Sequence, residues 1–536
     1  HQYRSSLIFV TTIYNRSRVI NWLALAPIAI TFVFVVIPVL NIFVSSLQFE
    51  SLNLLRTEAI RDVVWFTTWQ ALVSTAIALT IALPLAFVMA NFKFKAQRLT
   101  ASLISLPFIL PSIVVGVAFL QILPSNFHRT SFALILAHVY FNFGFASRLI
   151  TTRWLQIHPH LDDAARTLGA SPLKLLTTIT LPLLARATIN AALIVFTFCF
   201  TSYGVVRVLG GPSRSTLETE IYFRAMQLGD VSGAMLLSAL QVMIIALLFV
   251  VTTKAARKKY EQSTRPTISR QMHLRTRKQK IVATTVISSA TAFAIVPVLA
   301  IAFKSINTNS RFTTVAWRTV LTRPELTQSI AKTLTYAIAA MSLATLLGLL
   351  TACSVAYGNN KFRFISGLTT LPIVISAVSI GLGIIITFDT QPFDWRGAQF
   401  MLPLAHTLVA LPLVMRIISP VLQAIPDSLR QASSVLGASR RQTWLNIDFK
   451  IIRRAAISAA AISATVSIGE FGASSFLARR GAETLPVMIS RLLSRPGDSL
   501  QSQAFALATL LVMFSLVIIF VIDSFTEDKF TRDSHA

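Results

Sequence analysis

Long apolar runs follow one another along the whole chain, separated by short polar segments. Because the hydrocarbon core of a bilayer is about 30 Å thick, a helix needs roughly 20 mostly apolar residues to cross it. Twelve segments reach or approach that length: 22–46, 64–90, 101–123, 131–150, 183–206 and 232–253, then 281–303, 328–356, 364–388, 399–420, 452–474 and 501–523. The pattern predicts an all-α integral membrane protein with about 12 transmembrane helices.

The sequence repeats itself at an offset of 268 residues. Features that recur at this offset include Leu168-Gly169-Ala170-Ser171 with Leu436-Gly437-Ala438-Ser439, His138 with His406, Arg148 with Arg416, and Gly204 with Gly472. The repeat predicts two homologous six-helix halves, residues 1–253 and 281–536, which have the same orientation and are related by an axis along the membrane normal. A central pathway would then lie between the halves.

Composition and charge support a membrane protein and exclude a nucleic-acid-binding one. Of the 536 residues, 54% are hydrophobic and 13% are charged, and the formal net charge is +27. The basic residues lie in short segments between apolar runs, so we interpret them as topology signals. Residues 254–280 hold ten Lys or Arg against one acid, which predicts a basic cytoplasmic linker between the halves. Both termini are therefore predicted in the cytoplasm.

A polar, amphipathic segment follows the fourth predicted span of each half. In the first half, residues 161–182, Asp163-Ala164-Ala165 is followed after three residues by Gly169 and nine residues later by Ile179-x-Leu181-Pro182. This spacing resembles the EAA motif (E-A-A, three residues, G, nine residues, I-x-L-P) of the binding-protein-dependent ABC importer permeases, with Asp in place of Glu. We call this segment the first elbow.

The second elbow, residues 429–450, is a degenerate copy. It keeps Ala432, Gly437 and Ile447 at the same spacing. Three positions depart from the motif: Gln431 replaces the acid, Ser433 replaces the second alanine, and Asp448-Phe449-Lys450 replaces the x-Leu-Pro ending. Both elbows predict a short helix, a bend at glycine and a second helix, because glycine takes backbone angles that other residues resist.

The resemblance implies a type I ABC importer permease fold and a role for the elbows. In that family, elbows are the coupling helices that dock into ATPase subunits. The implied partners are two ABC ATPase subunits, which would bind ATP and Mg²⁺; the sequence has no G-x-x-x-x-G-K-[ST] loop, and neither a cofactor nor a metal site is expected in this chain. The residues assigned to coupling are Asp163, Ala164, Ala165, Gly169, Gln431, Ala432 and Gly437.

Residues 198–226 and 468–498, after the fifth span of each half, resemble the fused permeases for thiamine and their relatives for ferric iron. The resemblance implies a multi-pass protein of the bacterial inner membrane that receives a small solute from an extracytoplasmic binding protein. Glu470, Gly204 and Gly472 are candidate pathway residues. Glu470 is an ionisable residue inside a predicted span, so it either lines the pathway or pairs with an Arg or a helix end. The glycines are expected to allow a tight return of the chain.

Two other classes remain as alternatives. A secondary transporter can also have twelve helices in two parallel repeats, but it predicts coupling acids at the midplane and does not require elbows. A membrane-embedded enzyme would need converging His, Asp or Ser clusters on adjacent helices, and no catalytic residue is assigned. Cys199 and Cys353 lie inside apolar runs and are predicted to be buried thiols. His138 and His406 are predicted to make a shared structural contact.

Overall fold

The computed structural model describes residues 24–47, 52–157, 159–211, 214–257, 271–308, 311–358, 363–389, 394–395, 397–479 and 481–526. The helices of the first half are α1 Ala24–Ser46, α2 Glu58–Asn91, α3 Gln97–Ile109, α4 Ser112–Ile122, α5 Ser131–Trp154, α6 Pro159–Thr167, α7 Pro172–Leu175, α8 Leu181–Phe200, α9 Gly204–Leu209, α10 Leu217–Phe223 and α11 Val231–Arg257. Those of the second half are α12 Arg277–Ile306, α13 Val315–Thr322, α14 Pro324–Tyr357, α15 Arg363–Thr370, α16 Ala377–Thr387, α17 Met401–Gln423, α18 Asp427–Val435, α19 Arg440–Thr443, α20 Phe449–Gly469, α21 Gly472–Leu477, α22 Leu485–Leu493 and α23 Asp498–Thr526.

The prediction of an all-α membrane protein is confirmed. Within the described residues, ten helices are long and apolar enough to cross a membrane, and two bent helix pairs raise the number to twelve if each pair is one span. Four two-residue strands are also present: β1 Phe92–Lys93 pairs with β2 Met272–His273, and β3 Asn307–Thr308 pairs with β4 Arg311–Phe312. Helices thus carry nearly all of the described structure.

The third segment of each half, predicted as a single span, is a broken helix instead. The axes of α3 and α4 meet at 99°, and the corresponding break in the second half, before α16, has an angle of 107°. In the first half Leu110 is extended (φ −65°, ψ 142°) because the ring of Pro111 disfavours the helical conformation at the residue before it. In the second half Ser376 begins α16 by accepting a hydrogen bond from the Ser379 amide at 3.0 Å.

Each half places its first span against the other half. In α1, the side-chain amide of Asn41 donates to the hydroxyl of Thr387 in the second half at 3.2 Å. In α12, the backbone carbonyl of Ala294 accepts from the hydroxyl of Tyr140 in the first half at 2.9 Å, and this tyrosine is fully buried. These contacts between α1 and the second half, and between α12 and the first half, hold the two halves together. We call the interface between the halves the seam.

Both elbows lie at one end of the bundle. The ring of Phe87, near the end of α2, contacts Trp154, the last residue of α5, shortly before the first elbow. The strand after α2 pairs with the strand before α12, so α12 begins at that end and α14 returns to it. There Tyr357, the last residue of α14, contacts Arg430 of the second elbow. We call this end the elbow end and the opposite one the far end.

The two cysteines are buried, as predicted. The two histidines are buried as well, but the prediction of a shared contact is wrong. His138 Nδ1 lies 2.9 Å from Gln70 Oε1 on α2, whereas His406 Nδ1 lies 2.7 Å from the Ser467 hydroxyl on α20. Equivalent positions in the repeat therefore have different partners, because the position of Ser467 in α20 is occupied by Cys199 in α8. Of the predicted linker, residues 258–270 lie outside the described residues, whereas residues 254–257 belong to α11 and residues 277–280 to α12.

Candidate functional site

The first elbow has the predicted helix, bend and helix. Gly169 follows α6 with φ +79°, a left-handed conformation that favours glycine. Its amide donates to the carbonyl of Arg166 at 3.0 Å, and the next amide, of Ala170, donates to the carbonyl of Ala165 at 2.9 Å. These two bonds form a Schellman C-cap. Ser171 then begins α7 by accepting a bond from the amide of Lys174.

The second elbow repeats this geometry in spite of its degenerate sequence. Gly437 has φ +80°, and its amide and that of Ala438 donate to the carbonyls of Ser434 and Ser433, each at 3.1 Å. Ser439 begins α19 in a capping box with Gln442. The repeated tetrapeptide Leu-Gly-Ala-Ser thus supplies a C-cap glycine and an N-cap serine in both halves, which explains why its glycine and serine positions match.

One large apolar side chain projects from the apex of each elbow. Leu168 is 88% exposed and Leu436 is 87% exposed, and Val435 beside the latter is 85% exposed. Sequence reasoning missed these residues as candidates for docking. Their signal was the recurrence of leucine directly before the bend glycine. Solvent-exposed leucines at equivalent positions of the two elbows are expected at a protein-docking surface.

The predicted coupling residues divide into two groups. Asp163 and Ala164 are exposed on α6, and Gln431 and Ala432 are exposed on α18, so all four face away from the bundle. Ala165 is instead buried, so it does not itself present a surface to a partner. The coupling role of the set stays a prediction.

Each elbow contains, near its end, a π-helical turn that leads into the fifth span of its half. These turns are Leu176–Thr180 before α8 and Trp444–Asp448 before α20, which occupy matching positions of the 268-residue repeat. Most π turns are single insertions in α-helices and occur often at functional sites, because they are less stable than regular helix. Movement of an elbow would reach the fifth span through this turn.

The second elbow has a brace formed at its degenerate positions. Arg430 Nε donates to Asp448 Oδ1 at 2.9 Å, and its Nη1 donates to Asp427 Oδ1 at 2.8 Å. Partial burial lowers the pKa of Arg430, but the hydrogen bonds to the two aspartates have the larger effect. The pKa of Arg430 is therefore raised. The Ser433 hydroxyl lies 2.9 Å from that of Thr443. Where the motif is lost, polar contacts fix the elbow to its π turn.

Removing this brace is expected to weaken the second elbow. Asp448→Asn removes the charge that faces Arg430 and keeps the shape of the side chain. Hydrogen bonds to charged groups contribute roughly 1.5–3 kcal/mol to stability, and the contribution is smaller here because Arg430 is partly exposed. We expect a melting temperature lower by a few degrees in detergent. Thr180→Val, at the equivalent position of the first elbow, is the control. Equal melting of wild type and Asp448→Asn would contradict the brace.

Gly204 and Gly472 allow close packing at the breaks in the third segments. A Cβ at Gly204 would lie 2.8 Å from the backbone nitrogen of Ile113, and one at Gly472 would lie 3.1 Å from that of Val378. Neither glycine has a positive φ, so the expected tight return of the chain is not their role. Each begins a short helix, α9 or α21, that packs on the second helix of the broken segment.

Adding a methyl group at Gly204 is expected to disturb this packing. Gly204→Ala would force the backbone of α9 away from α4, and overpacking of this kind costs about 1–3 kcal/mol. The expected result is a melting temperature several degrees lower. Gly367→Ala is the matched control, since nothing lies within 4 Å of a Cβ there. Unchanged stability of Gly204→Ala would show that the two helices have room to separate.

Four aromatic rings meet where the halves touch. The Tyr203 ring lies 4.9 Å from the Phe471 ring across the seam and 5.6 Å from the Tyr222 ring. The Tyr222 ring lies 5.4 Å from the Phe476 ring, again across the seam. Tyr203 and Phe471 are buried and occupy equivalent positions directly before Gly204 and Gly472. We call these four residues the aromatic row. Sequence reasoning singled out the glycines and missed the rings beside them.

Glu470 lies just after α20, not within a span, because that helix ends at Gly469. Its carboxylate accepts bonds from the amides of Ala473 and Ser474 at 2.8 and 2.9 Å and lies 3.2 Å from His406 Nε2. It therefore caps the N-terminus of α21, where a carboxylate is favoured by free amides and the helix dipole. The geometry corresponds to the pairing alternative; a pathway role stays a prediction.

Comparison with known proteins agrees with these features. Residues 82–266, which include the first elbow, match the family described as binding-protein-dependent transport system inner membrane component. The chain is 25% identical to the thiamine transport system permease protein ThiP of Brucella abortus over 85% of its length and 86% of the relative's. It is 22% identical to ThiP of Escherichia coli over 86% of its length and 88% of the relative's.

A shorter match is to the putrescine transport system permease protein PotI of Escherichia coli, 29% identical over 33% of this chain and 66% of that one. Its helical membrane fold and these matches make the chain similar to the permease components of binding-protein-dependent ABC importers. Because the match to the ThiP proteins extends over both halves, it resembles the fused permeases of the thiamine type. With ten to twelve candidate spans in the described residues, it is a multi-pass membrane protein.

Proposed function

We propose that this chain is the permease of an ATP-driven importer in which two ABC ATPase subunits dock on the two elbows. The observation that carries the proposal is the pair of elbows at one end of the bundle, each with the same left-handed glycine and the same exposed leucine. A fused chain with two elbows offers two docking sites, so one permease chain would serve two ATPases. ATP and Mg²⁺ would bind to those subunits.

The elbow end is proposed to face the cytoplasm. Cytoplasmic segments of membrane proteins are enriched in Lys and Arg. At the elbow end, basic residues follow α2 and α5 and continue through the first elbow: Lys93, Lys95, Arg98, Arg153, Arg166 and Lys174. Both termini would then be cytoplasmic, and the far end would face the extracytoplasmic binding protein in a bacterial inner membrane.

The proposed mechanism is alternating access between the halves. Three residues of the aromatic row, Tyr203, Phe471 and Phe476, are buried in this structure and Tyr222 is half-buried, so the seam is closed at that level. When the ATPases approach each other, the elbows would move together, and each π turn would pass that movement to α8 or α20. Because α8 and α20 lead directly to Tyr203 and Phe471, their movement would open or close the seam. The chain makes and breaks no covalent bond.

Thiamine is the proposed cargo, and ferric iron is the alternative. The two ThiP relatives named above, which match the chain over most of its length, are described as thiamine transport permeases. We propose that a binding protein delivers thiamine to the far end. The test is uptake of labelled thiamine and of labelled ferric iron by cells that carry the complete importer. Uptake of thiamine alone supports the assignment, and uptake of iron alone would reverse it.

The partners are tested by purification of the tagged chain together with the ATPase and the binding protein encoded beside it. We expect a complex with two ATPase subunits for each permease chain, measured by native mass spectrometry. One ATPase per chain would show that only one elbow docks. A chain that binds no ATPase under conditions in which it is folded would contradict the proposal and favour the secondary transporter.

A further inference from the structure

A buried carboxylate lies beside the aromatic row. Glu218, near the start of α10, is fully buried, and Gln241 of α11 donates a hydrogen bond to its Oε1. Among the described residues, the other oxygen, Oε2, has no hydrogen-bond partner. Tyr222, which contacts Tyr203, follows Glu218 by one turn on the same face of α10. Helix α10 packs against α16 of the second half, which Ser376 begins. A buried carboxylate oxygen without a partner is costly, so it calls for an explanation.

The fold itself does not require this carboxylate. In both halves the helix after the fifth span is tied down by a threonine: the amide of Leu217 donates to Thr67 at 3.0 Å, and that of Leu485 donates to Thr333 at 2.8 Å. At the position of Glu218, however, the second half has Pro486. Glu218 is thus a feature of one half only, added to a framework that is complete without it.

The polar and aromatic groups near Glu218 come from both halves. The hydroxyls of Ser238, from the first half, and Ser376, from the second, lie 2.7 and 3.0 Å from the Ser379 hydroxyl, so this polar cluster crosses the seam. On the aromatic row, the guanidinium of Arg207 lies over the Tyr222 ring at 5.5 Å. That ring therefore already accepts a planar cation on its face.

We propose that Glu218, Tyr203 and Tyr222 form a transit site for an organic cation, which is exposed when the halves separate. The inference rests on the proposed function, since thiamine carries a positively charged thiazolium ring. Separation of the seam would remove Ser376 and Phe471 from the first-half residues and leave a carboxylate flanked by two aromatic rings. The carboxylate would attract the cation, and the rings would stack on it.

The site is tested by the discrimination between thiamine and a neutral isostere in which thiophene replaces the thiazolium ring. We would measure kcat/KM for uptake of both compounds in vesicles with the complete importer. For Glu218→Gln, which keeps the shape and removes the charge, we expect the thiamine-to-isostere ratio to fall about tenfold. Glu220→Gln, which removes a charge two residues away that pairs with Arg224 at 2.8 Å, should keep the wild-type ratio.

Folding is checked by the melting temperature and by co-purification of the ATPase. If Glu218→Gln does not assemble, Glu218→Asp is used, because it keeps the charge and withdraws it by one methylene; the ratio should then fall by a smaller factor. A ratio within twofold of wild type in an assembled variant would overturn the site. No uptake of thiamine by the wild type would instead overturn the cargo assignment and, with it, the site.

Discussion

Replacing Leu168 and Leu436 by aspartate is expected to release the ATPase subunits from the permease. Both leucines are almost fully exposed in the isolated chain, and docking would bury them. Burial of a leucine contributes about 1.5–3 kcal/mol, so each ATPase, which contacts one elbow and loses one leucine, is expected to bind roughly 10- to 150-fold more weakly before the cost of burying the new charge is counted. The measurement is the amount of ATPase that co-purifies with the tagged permease.

The control for this pair is Leu321→Asp, which changes a leucine that is 62% exposed on α13 at the far end and should keep both ATPases. The single variants Leu168→Asp and Leu436→Asp separate the two elbows. We expect each to lose one ATPase, because the elbows share their backbone geometry. If the double variant retained both subunits at wild-type affinity, the apex leucines would not be docking residues.

Valine at Gly169 and Gly437 is expected to reduce ATP-dependent uptake at least tenfold without loss of membrane insertion. Both glycines have φ near +80°, which a β-branched residue adopts only at high cost. No atom lies within 4 Å of a Cβ at either position, so the effect comes from the backbone and not from a clash. The C-cap would change its conformation, and the second helix of the elbow would point in another direction.

Asparagine at the same two positions is the matched control. Asparagine tolerates the left-handed conformation better than other non-glycine residues, so Gly169→Asn with Gly437→Asn should keep most of the uptake. The readouts are uptake, ATPase rate and the amount of permease in the membrane. Loss of uptake with a persistent ATPase rate would show uncoupling. Equal uptake by the valine and asparagine variants would contradict a role for the bend.

The membrane-spanning helices could be predicted from hydrophobicity, because a helix forms all of its backbone hydrogen bonds within its own segment and can therefore lie in lipid. The breaks in the third segments could not. Proline alone is no guide to them. The ring of Pro111 favours an extended Leu110. Yet α2 and α17 each continue through an internal proline, Pro84 in α2 and Pro412 in α17. What differs at Pro111 is tertiary packing, because Gly204 lets α9 lie close against the start of α4. Such a contact is between residues about 90 positions apart in the chain.

The elbows were more predictable than the seam. Their glycines and serines act on the local backbone, so spacing alone indicates a helix, a bend and a helix. The aromatic row depends on contacts between residues of different halves, such as Tyr203 with Phe471, and no local pattern reports them. Glu470 shows the same limit. Its place in an apolar segment suggested a span, but the helix ends one residue earlier, at Gly469.

Uptake by proteoliposomes that contain the permease, the ATPase and the binding protein tests the central claim most directly. Labelled thiamine is supplied with the binding protein outside and ATP inside, in the presence of an ionophore that dissipates ion gradients. We expect uptake that requires ATP hydrolysis, stops with a non-hydrolysable ATP analogue and is unaffected by the ionophore. Uptake that continues without ATP and is abolished by the ionophore would contradict an ATP-driven importer and indicate a secondary transporter.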